Sequence, residues 1–271
     1  MARTKRPAGS ARTALAPAGA RWAAFGAIAG VLAATLLFAP AQWLAAAVRH
    51  ATRGQIVLAE PRGTVWNGSA QLVMTGGAGS ADAAALPGRL DWTLRPRLDG
   101  AAARLSAACC TAQPIPVRLH ARLAGARLEV GDGTLHVAAI ALAGLGTPWN
   151  TLQLEGELLM SSQALSVEWV EGRLAIAGRA ELVAQNLSSR LSTLRPMGSY
   201  RITLAGGAVP TVRLDTLEGA LRLTGSGQWV GQRLHFAGEA SAAEPKNAPA
   251  LENLLNILGR RNGPRSMISI G

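Results

Sequence analysis

The 271-residue sequence is short of the residues that usually carry chemistry: it has one tyrosine, three phenylalanines, four histidines and two cysteines. The histidines, His50, His120, His136 and His235, stand far apart, with no acidic or cysteine ligands at metal-site spacing. His120, His136 and His235 fall in strand-like stretches and read as solvated or hydrogen-bonded face residues. Gly-x-Ser-x-Gly, Walker and dinucleotide-binding patterns are missing, and Gly131-Asp132-Gly133 and Gly225-Ser226-Gly227 read as turn or bulge chemistry. Carboxylates are scattered, so spacing nominates no acid-base pair. No catalytic residue, metal or cofactor is expected, and the chain reads as a non-enzyme.

Charge is also missing from one place, the run Trp22 to Val48 between Arg21 and Arg49. As one helix, Trp22 to Trp43 would rise roughly 32 Å, close to the bilayer's hydrocarbon thickness, with a tryptophan at each interface. Residues 1–21 hold Arg3, Lys5, Arg6, Arg12 and Arg21 and no acid, which by the positive-inside rule leaves the N-terminus in the cytoplasm. The expected layout is a basic cytoplasmic tail at 1–21, a single transmembrane helix at 22–48 and a periplasmic β-rich domain at 49–271. Ala39-Pro40-Ala41 also resembles a signal-peptide cleavage site, but the basic region and apolar stretch are both long for one. No Arg-Arg pair precedes the segment, so a twin-arginine signal is unsupported.

The formal net charge of +11 suggests nucleic acid at first sight. Setting aside the five tail charges leaves 22 basic against 16 acidic residues, a modest surplus. Basic residues there alternate with apolar ones, as in Arg118, His120 and Arg122, rather than interleaving with aromatics. Nucleic acid is not an expected partner.

What the exported part does contain is period-two alternation. Ile56-Val57-Leu58, Gln71-Leu72-Val73-Met74, Arg89 to Leu94, Val117 to Leu123 and Leu152 to Gly156 each read as half-buried antiparallel strands. Glu171 to Leu182 aligns with Glu218 to Trp229 and with Val230 to Ala240, glycines six or seven residues apart bracketing alternating residues in each copy. Thirty-one glycines and fourteen prolines divide the chain into short elements, as a β-meander needs. The expected fold is mainly β: a curved, largely antiparallel, half-pipe-like sheet with a short C-terminal helix. That helix is placed at 249–258 from Leu251, Leu254, Leu255 and Leu258, with Gly259 after its end. Leu187 to Leu194 is a second helix candidate.

Cys109-Cys110 is the chemical oddity. In an oxidising compartment the adjacent pair has three outcomes: a vicinal disulfide, two thiols or an intermolecular bridge. A strand points neighbouring side chains to opposite faces, so a vicinal bridge needs a tight turn, and Thr111-Ala112-Gln113-Pro114 fits a loop. A structural role is expected. Trp66 and Trp92 read as core plugs, Trp66 covering a bend bracketed by Gly63 and Gly68.

Arg62-Gly63-Thr64-Val65-Trp66-Asn67-Gly68-Ser69-Ala70, Leu90 to Pro96, Leu217 to Leu221 and Leu251 to Arg261, in that order after an N-terminal anchor, resemble protein N of the bacterial type II secretion system, also called general secretion pathway protein N. The resemblance covers nearly the whole chain. It implies a Gram-negative, single-pass inner-membrane protein with a periplasmic β domain, accessory to the export of folded proteins across the outer membrane, and it supplies no catalytic residues. Two readings follow. In the first, sheet edges or the polar face contact other secretion components, with Arg260 and Arg261 as candidate contacts. In the second, the glycine-bracketed strands resemble those of AsmA-like proteins, and an apolar groove handles phospholipid.

Overall fold

A computed structural model describes residues 18–77, 79–122, 125–170, 173–231 and 233–271, with side chains described from Trp22 onward except that of residue 173. The chain divides into two compact units, Met1–Ala39 and Pro40–Gly271.

In the first unit, α1 (Ala18–Leu37) is a helix of twenty residues. Trp22, Phe25, Ile28, Val31, Leu32 and Leu36 are each more than half exposed, so no single face is buried. The expected tail, residues 1–17 together with the Arg21 side chain, lies outside the described residues. Among the described residues, no helix is long and apolar enough to cross a membrane. The expected single helix over 22–48 is corrected: the run breaks at Phe38-Ala39-Pro40, and a second helix, α2 (Ala41–Ala51), starts after Pro40. Pro40 adopts φ −68° and ψ 146°, has no N–H to continue a helical ladder and pushes its predecessor toward extended backbone. Trp43 therefore does not share a helix with Trp22.

The second unit is built on one sheet. In chain order the strands are β1 (Ile56–Gly63), β2 (Asn67–Thr75), β3 (Ala83–Ala85), β4 (Leu90–Arg97), β5 (Gly100–Ala107), β6 (Ile115–Arg122), β7 (Gly125–Val130) and β8 (Gly133–Ala138). After a 3-10 segment (Ala139–Leu145) and the one-turn α3 (Trp149–Leu152) come β9 (Glu155–Val170), β10 (Arg173–Ser188), β11 (Gly198–Ala205), β12 (Thr211–Gly219), β13 (Leu221–Val230) and β14 (Arg233–Ala242). The chain closes with α4 (Ala248–Leu258), β15 (Arg260–Asn262) and β16 (Arg265–Ile270). The order across the sheet is β1-β2-β4-β5-β6-β7-β9-β10-β11-β12-β13-β14-β16-β15, with β3 beside β2 and β8 beside β9. Every pairing between these strands is antiparallel, so the fold is mainly β: a large open antiparallel sheet with a short C-terminal helix.

Alternation sends apolar side chains to one face, and three lids cover much of it. Under α2, Ala41, Leu58, Ala70 and Trp92 form one cluster. Leu86, Ala107, Cys110 and Ala141 form a second, under the 3-10 segment. The largest joins Leu152, Leu158, Leu187, Met197, Tyr200 and Leu221 to Leu251, Leu254 and Leu255 of α4. The i, i+3, i+4 spacing of those three leucines is why α4 docks by one stripe.

The repeated glycines have two separate causes. Gly178 sits at φ +83°, where β9 and β10 shift register, and a Cβ there would lie 2.1 Å from the Ala164 carbonyl oxygen. Gly225 and Gly238 face each other across β13 and β14, and a Cβ on Gly225 would lie 2.4 Å from the Phe236 ring. These glycines leave room for an aromatic ring laid along the sheet. The repeat copies correspond to β10, β13 and β14; residues 171, 172 and 232 lie outside the described residues.

The helix expected at Leu187 to Leu194 is a correction. Leu187 and Ser188 end β10, and the rest is a loop. Ser189 Oγ donates to the Leu152 carbonyl at 2.6 Å and accepts the Leu191 N–H at 3.2 Å, while Ser192 Oγ accepts the Leu194 N–H. Serine side chains thus take the backbone groups a helix would have used.

Candidate functional site

The polar face is a field of cross-strand charges. Register sets Arg118 opposite Glu129, His120 opposite Arg127, and Arg127 opposite Glu168, all on one side of β6, β7 and β9. His120 is clamped there: Nδ1 lies 2.8 Å from Asp99 Oδ2 and Nε2 lies 3.5 Å from Glu129 Oε2. The hydrogen bond with His120 is the largest cause holding the Asp99 carboxyl below its ordinary value, aided by its own backbone and by Arg97. Glu129 also takes Arg127 at 3.1 Å, Arg122 meets Glu168 at 3.1 Å, and Arg201 meets Glu181 at 3.2 Å. Pairs that keep this much contact with water contribute little stability and mainly set the charge pattern of the face.

The apolar face holds a hollow, a cavity of about 370 Å³ bounded by α3, α4 and β9 to β14 with β16. Its walls are aliphatic and aromatic, including Leu158, Leu182, Leu214, Phe236 and Ile270. The hydroxyl of Tyr200, also in the wall, donates to the Leu221 carbonyl at 3.1 Å, and burial drives the phenol's pKa well above its usual value. The hollow therefore offers packing surface and no free polar handle.

The sequence-nominated residues lie apart. Cys109 and Cys110 are bonded to each other in the turn after β5, with Cα atoms 3.7 Å apart. Cys110 is buried, and its carbonyl accepts the His136 N–H at 2.8 Å, so the turn docks on the free edge of β8. Arg260 and Arg261 form β15 at the sheet's last edge, both exposed and without an ion pair among the described residues. The opposite edge, β1, carries a bulge between Ala59 and Arg62, with Pro61 inside it. His136 and His235 sit on strands β8 and β14 and His50 near the end of α2. Among the described residues, no group of three or more His, Cys, Asp and Glu is placed to hold a metal ion.

The tryptophan reading is corrected in its particulars. Trp92, 4% exposed, is the plug: its Nε1–H reaches the Thr64 and Val65 carbonyls at 3.3 and 3.1 Å, and its ring lies where a Cβ on Gly68 would be, 2.5 Å away. Trp66 is only half-buried. The other unexpected feature is the lid formed by 139–152. Its signal was present in Ala138 to Leu145, an apolar run without alternation, which suits a segment lying on a face rather than within a sheet.

An open antiparallel sheet, lidded on its apolar face by its own helices and carrying no such lid on its charged face among the described residues, defines a β scaffold with a broad charged surface. The comparisons place it more closely. The model for the family "Type II secretion system (T2SS), protein N" matches residues 54–268. The chain belongs to that family. No curated protein and no solved structure matches it. Its role accordingly lies in type II secretion, and family membership implies other components of that system as partners.

Proposed function

We propose that this protein is a non-enzymatic accessory component of type II secretion, fixed at the inner membrane and presenting its sheet in the periplasm to other secretion proteins. The observation that carries this reading is the division of the sheet: its own helices occupy the apolar face, while the ion-paired face from β4 to β12 has no cover among the described residues. A surface of alternating Arg, Glu and Asp suits electrostatic recognition, which sets register and encounter rate more than raw affinity. Arg260 and Arg261, at the last edge and without an ion pair among the described residues, are contact points on this reading.

The anchor is supported by α1, uncharged from Trp22 to Leu37, and by the five basic residues with no acid in 1–21. The uncharged part of α1, Trp22 to Leu37, extends about 24 Å, short of a roughly 30 Å core; the uncharged run upstream of α2 supplies the remainder. This orients the N-terminus to the cytoplasm. Bulges in β1 and β10 support the half-pipe curvature expected of the sheet. Nothing in the comparisons supports lipid handling, and that reading is not carried further.

Native mass spectrometry of the full chain, gently extracted from its own membrane, tests the proposal. Recovery with secretion components at fixed ratios is the expected result. Recovery of the chain alone, from cells expressing the whole system, overturns it.

A further inference from the structure

On the bare face, three strands bring three arginines around one hollow. Arg95 on β4 lies opposite Ala102 on β5, and Ala102 lies opposite Arg118 on β6. The two arginines therefore flank a single methyl group, their backbones two strand spacings apart, about 10 Å. Arg104 stands two residues along β5 on the same face, opposite Thr93 and Pro116. Together with Arg97 these residues line a cavity of about 330 Å³. Elsewhere on this stretch each arginine has a carboxylate: Arg97 meets Asp99 at 3.8 Å, Arg122 meets Glu168 and Arg127 meets Glu129. Arg95, Arg104 and Arg118 form no ion pair with any described residue.

The neighbouring carboxylates are committed elsewhere. Glu129, the register partner of Arg118, turns to Arg127 and His120. Asp132 accepts the Ala164 N–H at 2.8 Å, and Asp99 is taken by His120. Asp91, on the same face of β4, reaches no arginine within ion-pair distance among the described residues. Three like charges thus surround a small-residue floor, and no described carboxylate stands within ion-pair distance of any of them.

We propose that this hollow is a phosphate-monoester site. Guanidinium groups present forks of N–H donors that match phosphate oxygens. Three forks arriving from three strands suit the three terminal oxygens of a tetrahedral monoester. A planar carboxylate has two oxygens and would leave one fork unused. The Thr93 hydroxyl adds a further donor beside the floor, and Ala102 keeps the floor low enough for an anion to settle. The same chemistry is offered by free phosphate and by a phosphomonoester lipid headgroup.

The test is calorimetric titration of the full chain in zwitterionic detergent with inorganic phosphate and, separately, with a short-chain phosphatidic acid. Saturable binding is expected, weakened at least tenfold by Arg95→Gln, Arg104→Gln or Arg118→Gln and less than twofold by Arg222→Gln, an arginine on the polar face of β13 with no ion pair among the described residues. Each variant is checked by its melting curve, and Arg118→Lys, which keeps the charge but loses the fork, should also weaken binding severalfold. Tighter binding of phosphatidic acid assigns the source to a lipid headgroup, and equal binding assigns it to soluble phosphate; both support the site. No saturable binding at millimolar phosphate, equal loss with Arg222→Gln, or a tenfold preference for an oligoglutamate peptide overturns it.

Discussion

Replacing Trp92 with alanine tests whether the N-terminal third of the sheet is held by one aromatic plug under α2. An aromatic ring of this size buries about 150–250 Å². At roughly 25 cal/mol per Å², and with about 10–40% removed because unfolded chains already bury some surface, the loss is on the order of 3–5 kcal/mol. That agrees with the range found when buried Trp or Phe is cut to Ala. Two further effects add to it: the Thr64 and Val65 carbonyls lose their indole donor, and Gly68 loses the ring that covers it. The expected cost is therefore about 4 kcal/mol, and at about 2–4 °C per kcal/mol the melting temperature should fall by on the order of 10 °C. Urea unfolding of the full chain in mild detergent, followed by far-ultraviolet circular dichroism, reads it. Trp92→Phe keeps most of the area and loses only the N–H donor, so it should cost about 1–2 kcal/mol. Trp43→Ala, at a residue 52% exposed, should cost under about 0.5 kcal/mol. A loss below about 1 kcal/mol for Trp92→Ala would refute the plug.

The remaining predictions concern glycines, the terminal helix and the histidine clamp. Gly68→Ala places a Cβ 2.5 Å from the Trp92 ring and 2.6 Å from the Arg62 carbonyl oxygen, so it should cost about 1–3 kcal/mol by the same urea assay; neutrality would mean the ring can step aside. Gly225→Ala should destabilise because its Cβ meets the Phe236 ring, and a double-mutant cycle with Phe236→Leu should recover about 1 kcal/mol of that loss; strict additivity would count against the seat. Leu254→Ala should cost about 2–5 kcal/mol, since the side chain is almost fully buried. Asp99 has a depressed pKa, so its contact is present above the ordinary carboxylate range and is lost as pH falls through the lowered value. His120→Gln should move the Asp99 titration up toward 3.8, read by carboxyl-carbon NMR; an unchanged titration would place the cause elsewhere.

Much of the sheet was legible because a strand's period of two is written directly in residues such as Val117 to Arg122. The C-terminal helix was legible for the same kind of reason, its three buried leucines keeping the spacing of one helical stripe. What local pattern hides is competition between backbone partners. Leu187 to Leu194 has a helix-like spread of leucines, yet Ser189 and Ser192 divert its N–H groups. Pro40 is a helix-breaking residue, but it stands in a run without charge, and charge-free length is what suggests one continuous helix. Trp66 sits closest in sequence to Gly68, but register brings Trp92 over that glycine from the neighbouring strand. The arginine hollow was hidden in the same way: Arg95, Arg104 and Arg118 are scattered along three strands and meet only once β4, β5 and β6 are aligned.

The strand order has a consequence for how the protein comes into being. Most strands pair with the one just before them, so a chain leaving the ribosome can add each new strand to an edge already formed, with short loops to close and little entropy to surrender at each step. Three junctions depart from this rule, and the first is brief: β3 takes one end of β2 before β4 pairs with the other. The sheet pauses at β7 until β9 arrives, after the lid segment has been made, and at β14 until α4 has passed and β16 returns. Those waiting edges divide assembly into three successive blocks, so a stalled or truncated chain should leave a partly built sheet ending at one of two defined seams.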